Sequence, residues 1–322
     1  MSAAPAKSRV VAIALLKIGI TIAILWFLVN RLSTGGMLAS LLGIAPWAIT
    51  LCLSLVTFQL ILSALRTQVI LSESVSSVDV PTMIRISFAG AFYSQTMVSF
   101  VGGDAARIML LAQHGVPATV SSYVIVLDRL VGLAAQLLVL LAVSPALLLM
   151  RVDVSLYGSV WAFALAGLVC VCGIAFFAHL PQSVVGRDGF VARHLRGLSD
   201  MNITIMRNRA SLIRTILLST AIVVINMVCI YVYFRGIGVD VGAMNVLVIS
   251  PAVFLVSMLP ISIAGWGVRE GAMSAGFALV GVDPAQSLVV SIAFGLTLAL
   301  VSLPGGFTGF RVLARARGTG EV

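Results

Sequence analysis

Apolar residues run almost unbroken through six stretches of this chain: Val10 to Val29, Pro46 to Leu65, Pro117 to Ala142, Leu156 to Ala178, Leu212 to Phe234 and Ser287 to Gly309. A helix needs roughly 20 such residues to cross about 30 Å of hydrocarbon, so the pattern predicts six transmembrane helices. Two further apolar stretches are interrupted: Thr82 to Val98 with Ala105 to Ala112, and Val246 to Leu259 with Val268 to Val280. The interruptions are SFVGGDAAR at Ser99 to Arg107 and SIAGWGVRE at Ser262 to Glu270, each reading Ser-x-x-Gly and then an arginine within five residues. Irregular backbone at membrane depth is tolerated only inside protein or along a polar cavity, so both stretches are predicted as re-entrant or broken helical hairpins.

Composition fixes the class. The chain is 60% hydrophobic and 10% charged, with a mean hydropathy of +1.14, which excludes a water-soluble fold. The net charge of +9 therefore belongs to membrane topology and not to nucleic-acid binding. Lys7, Arg9, Arg66, Arg187, Arg193, Arg196, Arg207, Arg209, Arg311, Arg315 and Arg317 fall beside one set of span ends, while the opposite set carries Arg31, Arg151 with Asp153, and Arg235 with Asp240. The positive-inside rule places both termini in the cytoplasm. The first span lacks a small-x-small cleavage pattern and reads as an uncleaved anchor. Cys52, Cys170, Cys172 and Cys229 lie within spans as packing residues, and His114, His179 and His194 have no metal-ligand spacing, so neither metal nor cofactor is expected.

With that orientation, the first hairpin opens to the cytoplasm and the second to the outside. The order span, span, hairpin, span then occurs twice with opposite orientation, over 1–150 and 151–322. From the start of the preceding span to the motif serine is 53 residues in one half (Pro46 to Ser99) and 50 in the other (Leu212 to Ser262). This predicts an inverted-topology repeat, an arrangement in which broken elements from both halves form a substrate site near the midplane.

The motifs carry charge where hydrocarbon makes charge costly. Gly102 and Gly103 are expected to let the chain turn, and Asp104 and Arg107, spaced i,i+3, share one face of the helix that follows, paired or holding a ligand between them. The helix N-terminus so created favours an anion. In the second motif Pro260 ends a half-helix, Gly265 and Gly267 flank Trp266, and Arg269 and Glu270 open the next. Adjacent helical residues do not face each other, so these two are expected to have different partners. Trp266 is expected to serve packing first, with stacking on a lipid or sugar headgroup as the alternative. Asp128 and Arg129 lie about 16 Å into the third span, beyond rescue by snorkelling for an aspartate, and Arg107, Arg129 and Arg269 are the candidate partners of Asp128. Lys17, nearer a membrane face, snorkels. Between the fourth and fifth spans, Phe190, Leu195, Leu198, Met201 and Ile205 recur near helical spacing among arginines, which predicts a basic helix lying on anionic cytoplasmic lipid.

GGDAAR, the downstream Asp128-Arg129 followed by Gly132, and LPISIAGWGVRE resemble the transmembrane region of bacterial lysylphosphatidylglycerol synthases over nearly the whole chain. The expected match is to the stand-alone members of that family, with no aminoacyl-transferase domain expected beyond Val322. It implies a flippase and not an enzyme: an all-α polytopic protein of the bacterial cytoplasmic membrane that moves a phospholipid, aminoacyl-phospholipid or glycosylated or isoprenoid lipid between leaflets, through a cavity between the two hairpins. It also implies Asp104, Arg107, Asp128, Arg129, Arg269 and Glu270 as the polar site. Membrane lipid is then the partner, without nucleic acid, and homodimer formation is left open. The competing classes are a membrane-embedded enzyme acting on a lipid phosphate and a small-anion transporter.

Overall fold

The computed structural model describes residues 37–74, 78–96, 102–146, 154–175, 189–258 and 265–307. Among them the chain is helix and turn throughout. Eleven helices follow in order: α1 (Met37–Leu42), α2 (Pro46–Ser72), α3 (Val80–Thr96), α4 (Gly102–Gln113), α5 (Ala118–Val143), α6 (Val154–Ala175), α7 (Phe190–Arg207), α8 (Arg209–Gly236), α9 (Ala243–Ser257), α10 (Val268–Ala278) and α11 (Pro284–Ser302). Among the described residues, four segments are long and apolar enough to cross a membrane: α2, α5, α8 and Pro284–Phe307, while Trp161–Ala175 and Ala243–Ser257 are shorter apolar helices. The predicted span Val10 to Val29, with Lys7, Arg9, Lys17 and Arg31, lies outside the described residues, as do Arg151, Asp153, His179, Arg187, Ser99, Pro260, Ser262, Arg311, Arg315 and Arg317.

The second span is longer than its uninterrupted apolar run suggests. α2 continues past Leu65 to Ser72 and buries Arg66, Thr67, Ile70 and Leu71. Arg66 is therefore not a flanking charge at a span end, as the hydropathy pattern implies; the helix carries it inside because Asp128 and Ser219 receive it there. Large apolar side chains such as Trp47, Leu51, Phe58, Leu138, Phe163, Leu217 and Leu300 are exposed, as expected of helices whose outer faces meet lipid tails.

The chain divides into two compact units, each drawing on both halves of the sequence. The first comprises the described residues of Met1–Thr57, Phe88–Ala105 and Asn226–Gly309. In it α9 packs on α10, α10 on α11, and α11 on α1. Its core is aromatic: Phe234 against Phe277 at 4.7 Å between ring centroids, Phe254 against Phe294 at 5.5 Å, and Tyr233 bonded to Thr297. Cys52, one of a buried stripe with Ala48 and Val56, directs its thiol at the Cys229 carbonyl.

Within the same unit Gly103 lets two backbones approach. A Cβ there would fall on the Gly90 carbonyl and Ser94. Gly103 therefore serves close packing of α4 on α3, and Gly102 and Gly103 form the first residues of α4. Gly103→Val is expected to cost about 1 to 3 kcal/mol, because a backbone carbonyl cannot rotate away as a side chain would. Gly158→Ala, where nothing lies within 4 Å, is the control, and thermal unfolding of purified protein in detergent makes the comparison.

The second unit comprises the described residues of Phe58–Ser87, Ala106–Ile225 and Phe310–Val322. Here α5 packs on α6, and α7 packs on both. The basic segment is a helix, α7, whose Leu198, Met201 and Ile205 are buried while Arg193 and Arg207 are exposed. Its apolar stripe is thus covered by protein. Tyr123 of α5 fixes the contact, with its hydroxyl 2.9 Å from His194 Nδ1 and its ring against Gly197.

Candidate functional site

Among the described residues, each unit buries one cluster of arginine, carboxylate and hydroxyl groups. In the second unit the cluster is assembled by α2, α4, α5 and α8. Arg66, Thr67, Arg107, Asp128 and Ser219 are all buried, at 7%, 0%, 6%, 2% and 1% exposure. Arg66 Nε donates to Asp128 Oδ1 at 2.9 Å, and its Nη1 reaches Ser219 Oγ at 3.3 Å. Arg107 Nη2 donates to Thr67 Oγ1 at 2.7 Å, while its Nη1 lies 3.5 Å from Asp128 Oδ2. The Thr67 hydroxyl is within 3.1 Å of Asp128 Oδ1 and 3.0 Å of the Ser63 carbonyl, so its single proton serves one acceptor at a time. Gly132, one turn beyond Asp128, leaves space for the Arg66 guanidinium: a Cβ there would meet Nη1 at 3.2 Å.

In the first unit the cluster stands at the start of α10. Gly265 and Gly267 have φ of +78° and +87°, a left-handed backbone that glycine adopts without strain and that sets the chain to enter α10. The Glu270 carboxylate folds back to accept from the Gly267 amide through Oε2. Its Oε1 accepts from Arg269 Nη2 at 2.7 Å and from Ser291 Oγ at 2.9 Å, and Ser291 in turn accepts from Arg269 Nε at 3.0 Å. The guanidinium carbon sits 5.2 Å from the Trp266 ring centroid and 5.7 Å from that of Phe294. Gly295, one turn beyond Ser291, leaves space against Arg269 and Trp266.

One sequence expectation is corrected by this geometry. Arg269 and Glu270 do not have separate partners: they bond each other and share Ser291, because the capping bond bends the glutamate back and the long arginine reaches around to it. The half-buried Trp266 ring packs against the Arg269 guanidinium, in keeping with the packing role expected of it. Of the candidate partners of Asp128, Arg107 joins Arg66 in an ion pair with its carboxylate; Arg129 is exposed on α5, and Arg269 pairs with Glu270 in the other cluster. Asp104, in the first turn of α4, is half-buried. Arg66, Thr67, Ser219 and Ser291 are absent from the motifs that announced the others. The signal for Arg66 was an arginine followed by further apolar residues, Val69 to Leu71, which a span-end charge does not require.

Four membrane-length apolar segments with charged clusters buried among their helices define a polytopic α-helical membrane protein with an internal polar site. More narrowly, the chain belongs to the family of the lysylphosphatidylglycerol synthase transmembrane region, whose model matches residues 14–305. It is similar to a UPF0104 membrane protein of Methanothermobacter thermautotrophicus, 24% identical over 328 residues that cover 92% of each chain.

Proposed function

We propose that the protein is a lipid flippase, carrying a lipid with a polar or phosphate-bearing headgroup between leaflets while its acyl chains stay in the bilayer. The observation that carries this reading is the convergence of two buried guanidinium groups on one carboxylate among helices that are otherwise apolar. A charge at the centre of a membrane helix costs about 2.5 to 3.5 kcal/mol on insertion scales, and such residues mark polar substrate routes. Membership of the family supports a lipid-handling role.

An inverted repeat, with re-entrant hairpins at the two motifs, is part of the proposal. It is supported by a correspondence between the two clusters: Asp128 and Gly132 on α5, and Ser291 and Gly295 on α11, are each four apart, and each glycine lies against a buried guanidinium. On this reading the third span of each half presents a polar side chain, carboxylate in one and hydroxyl in the other, and a glycine one turn on to an arginine. Both termini lie in the cytoplasm on this reading, and transport draws on the lipid gradient, the membrane potential or a coupled proton.

The test is reconstitution in liposomes carrying headgroup-labelled phosphatidylglycerol in both leaflets, followed by an impermeant quencher. Protein-dependent loss of the protected inner-leaflet signal is expected. Arg107→Gln should weaken apparent lipid affinity about ten- to a hundredfold, the value of one charge-assisted contact, while the protein stays monodisperse because Arg66 still holds Asp128. Lipid that stays protected, or that is chemically converted, would remove the flippase reading.

A further inference from the structure

The two clusters differ in how completely they are closed, and the difference indicates where a headgroup binds. Both oxygens of Glu270 are held by short bonds, and Arg269 is enclosed by two aromatic rings. Asp128 is held unequally. Its Oδ1 takes Arg66 Nε at 2.9 Å with the Thr67 hydroxyl beside it, whereas its Oδ2 meets Arg107 only at 3.5 Å, the weak limit of a hydrogen bond. The stronger bond of Arg107 goes instead to Thr67.

Resting on the flippase reading, we propose that Arg66, Arg107, Thr67 and Ser219 form a phosphate-binding site that Asp128 occupies in the absence of substrate, and that a lipid phosphate binds by taking the place of its carboxylate. A guanidinium fork fits carboxylate and phosphate oxygens alike, so the exchange keeps each arginine in the same kind of charge-assisted bond. A phosphate offers more acceptor oxygens than a carboxylate, which suits donors arriving from three helices.

A polar approach to the site is built into α8. Ser211, Thr215 and Ser219, four residues apart, form one buried stripe about 12 Å long that ends at Arg66. Ser211 donates to Glu73 Oε1 near the end of α2, and Ser219 to the Thr215 carbonyl. Between them Thr215 Oγ1 is buried with no hydrogen-bond partner among the described residues. Ser87, Ser250 and Ser287 share that state among the described residues, and of these four hydroxyls only that of Thr215 lies on the stripe that ends at Arg66, where a headgroup or its water would bond it in passage.

The experiment compares melting temperatures of wild type, Asp128→Asn and Glu270→Gln in neutral detergent at constant ionic strength, titrated with inorganic phosphate or with dihexanoyl-phosphatidylglycerol. Asp128→Asn, freed of its internal competitor, is expected to be stabilised by the short-chain lipid at about tenfold lower concentration than wild type, with or without a matching response to phosphate. Response to phosphate alone, an equal response in Glu270→Gln, or no response overturns the proposal. Should Asp128→Asn not yield folded protein, calorimetric titration of wild type with the same lipid decides. Arg66→Gln should then weaken binding about ten- to a hundredfold and Thr215→Val by a smaller factor, and an unchanged Kd for Arg66→Gln overturns it. None of these readouts requires transport: lipid binding without movement in liposomes would sink the flippase and keep the site, and movement without lipid binding here would do the reverse.

Discussion

Asp128→Asn is expected to destabilise the protein by about 3 to 5 kcal/mol, the cost of stranding buried cations when one partner of an internal ion pair is removed. Asp128 is 2% exposed and receives both Arg66 and Arg107. The asparagine carbonyl could still accept from Arg66 Nε, but its amide nitrogen would then point donors at Arg107. Snorkelling gives little relief, because Arg66 is enclosed by α5 and α8 through Asp128 and Ser219. The measurement is the unfolding midpoint of purified protein in detergent, with monodispersity by size exclusion. A midpoint within one or two degrees of wild type would show that the arginines are solvated in the native state. Asp128→Ala should be worse still, since it also removes the acceptor for Arg66.

Glu270→Gln should cost a similar amount by two routes at once. The buried Arg269 loses its counter-charge, and the amide that replaces Oε2 sets a donor against the Gly267 N-H, breaking the bond that caps α10. Loss of a cap alone costs about 1 kcal/mol, and the unpaired arginine, 4% exposed, accounts for the larger share. Ser291→Ala removes only the bridging hydroxyl and should cost about 1 to 2 kcal/mol, so the order Glu270→Gln, then Ser291→Ala, then wild type in rising midpoint checks the geometry. A Glu270→Gln protein as stable as wild type, with altered pH dependence of transport, would instead make Glu270 a proton carrier, the role that separate partners for Arg269 and Glu270 would imply.

The hydropathy pattern placed α2, α5, α8 and the last span to within several residues, since a long apolar run has no stable alternative to a membrane helix. It misplaced the end of α2 because a buried arginine looks the same in sequence as an arginine in the headgroup region. The motif glycines were legible as special, yet their reasons differ: a left-handed backbone at Gly265 and Gly267, close packing at Gly103. The basic segment was legible as an amphipathic helix, but its apolar stripe says only that something covers it. In the second unit, α5 and α6 do.

By itself, the sequence determined that the chain is an integral membrane protein of helices, that two glycine-bearing motifs interrupt it, and that Arg107, Asp128, Arg269 and Glu270 lie where charge is costly. Those conclusions follow from local composition and spacing, which the bilayer reads residue by residue. Only the tertiary structure decided the pairing: Arg66 with Arg107 on Asp128, and Arg269 with its own neighbour Glu270. Arg66 and Asp128 are 62 residues apart, and which guanidinium reaches a carboxylate depends on helix rotation and packing, which turn on side-chain contacts that hydrophobic periodicity does not encode.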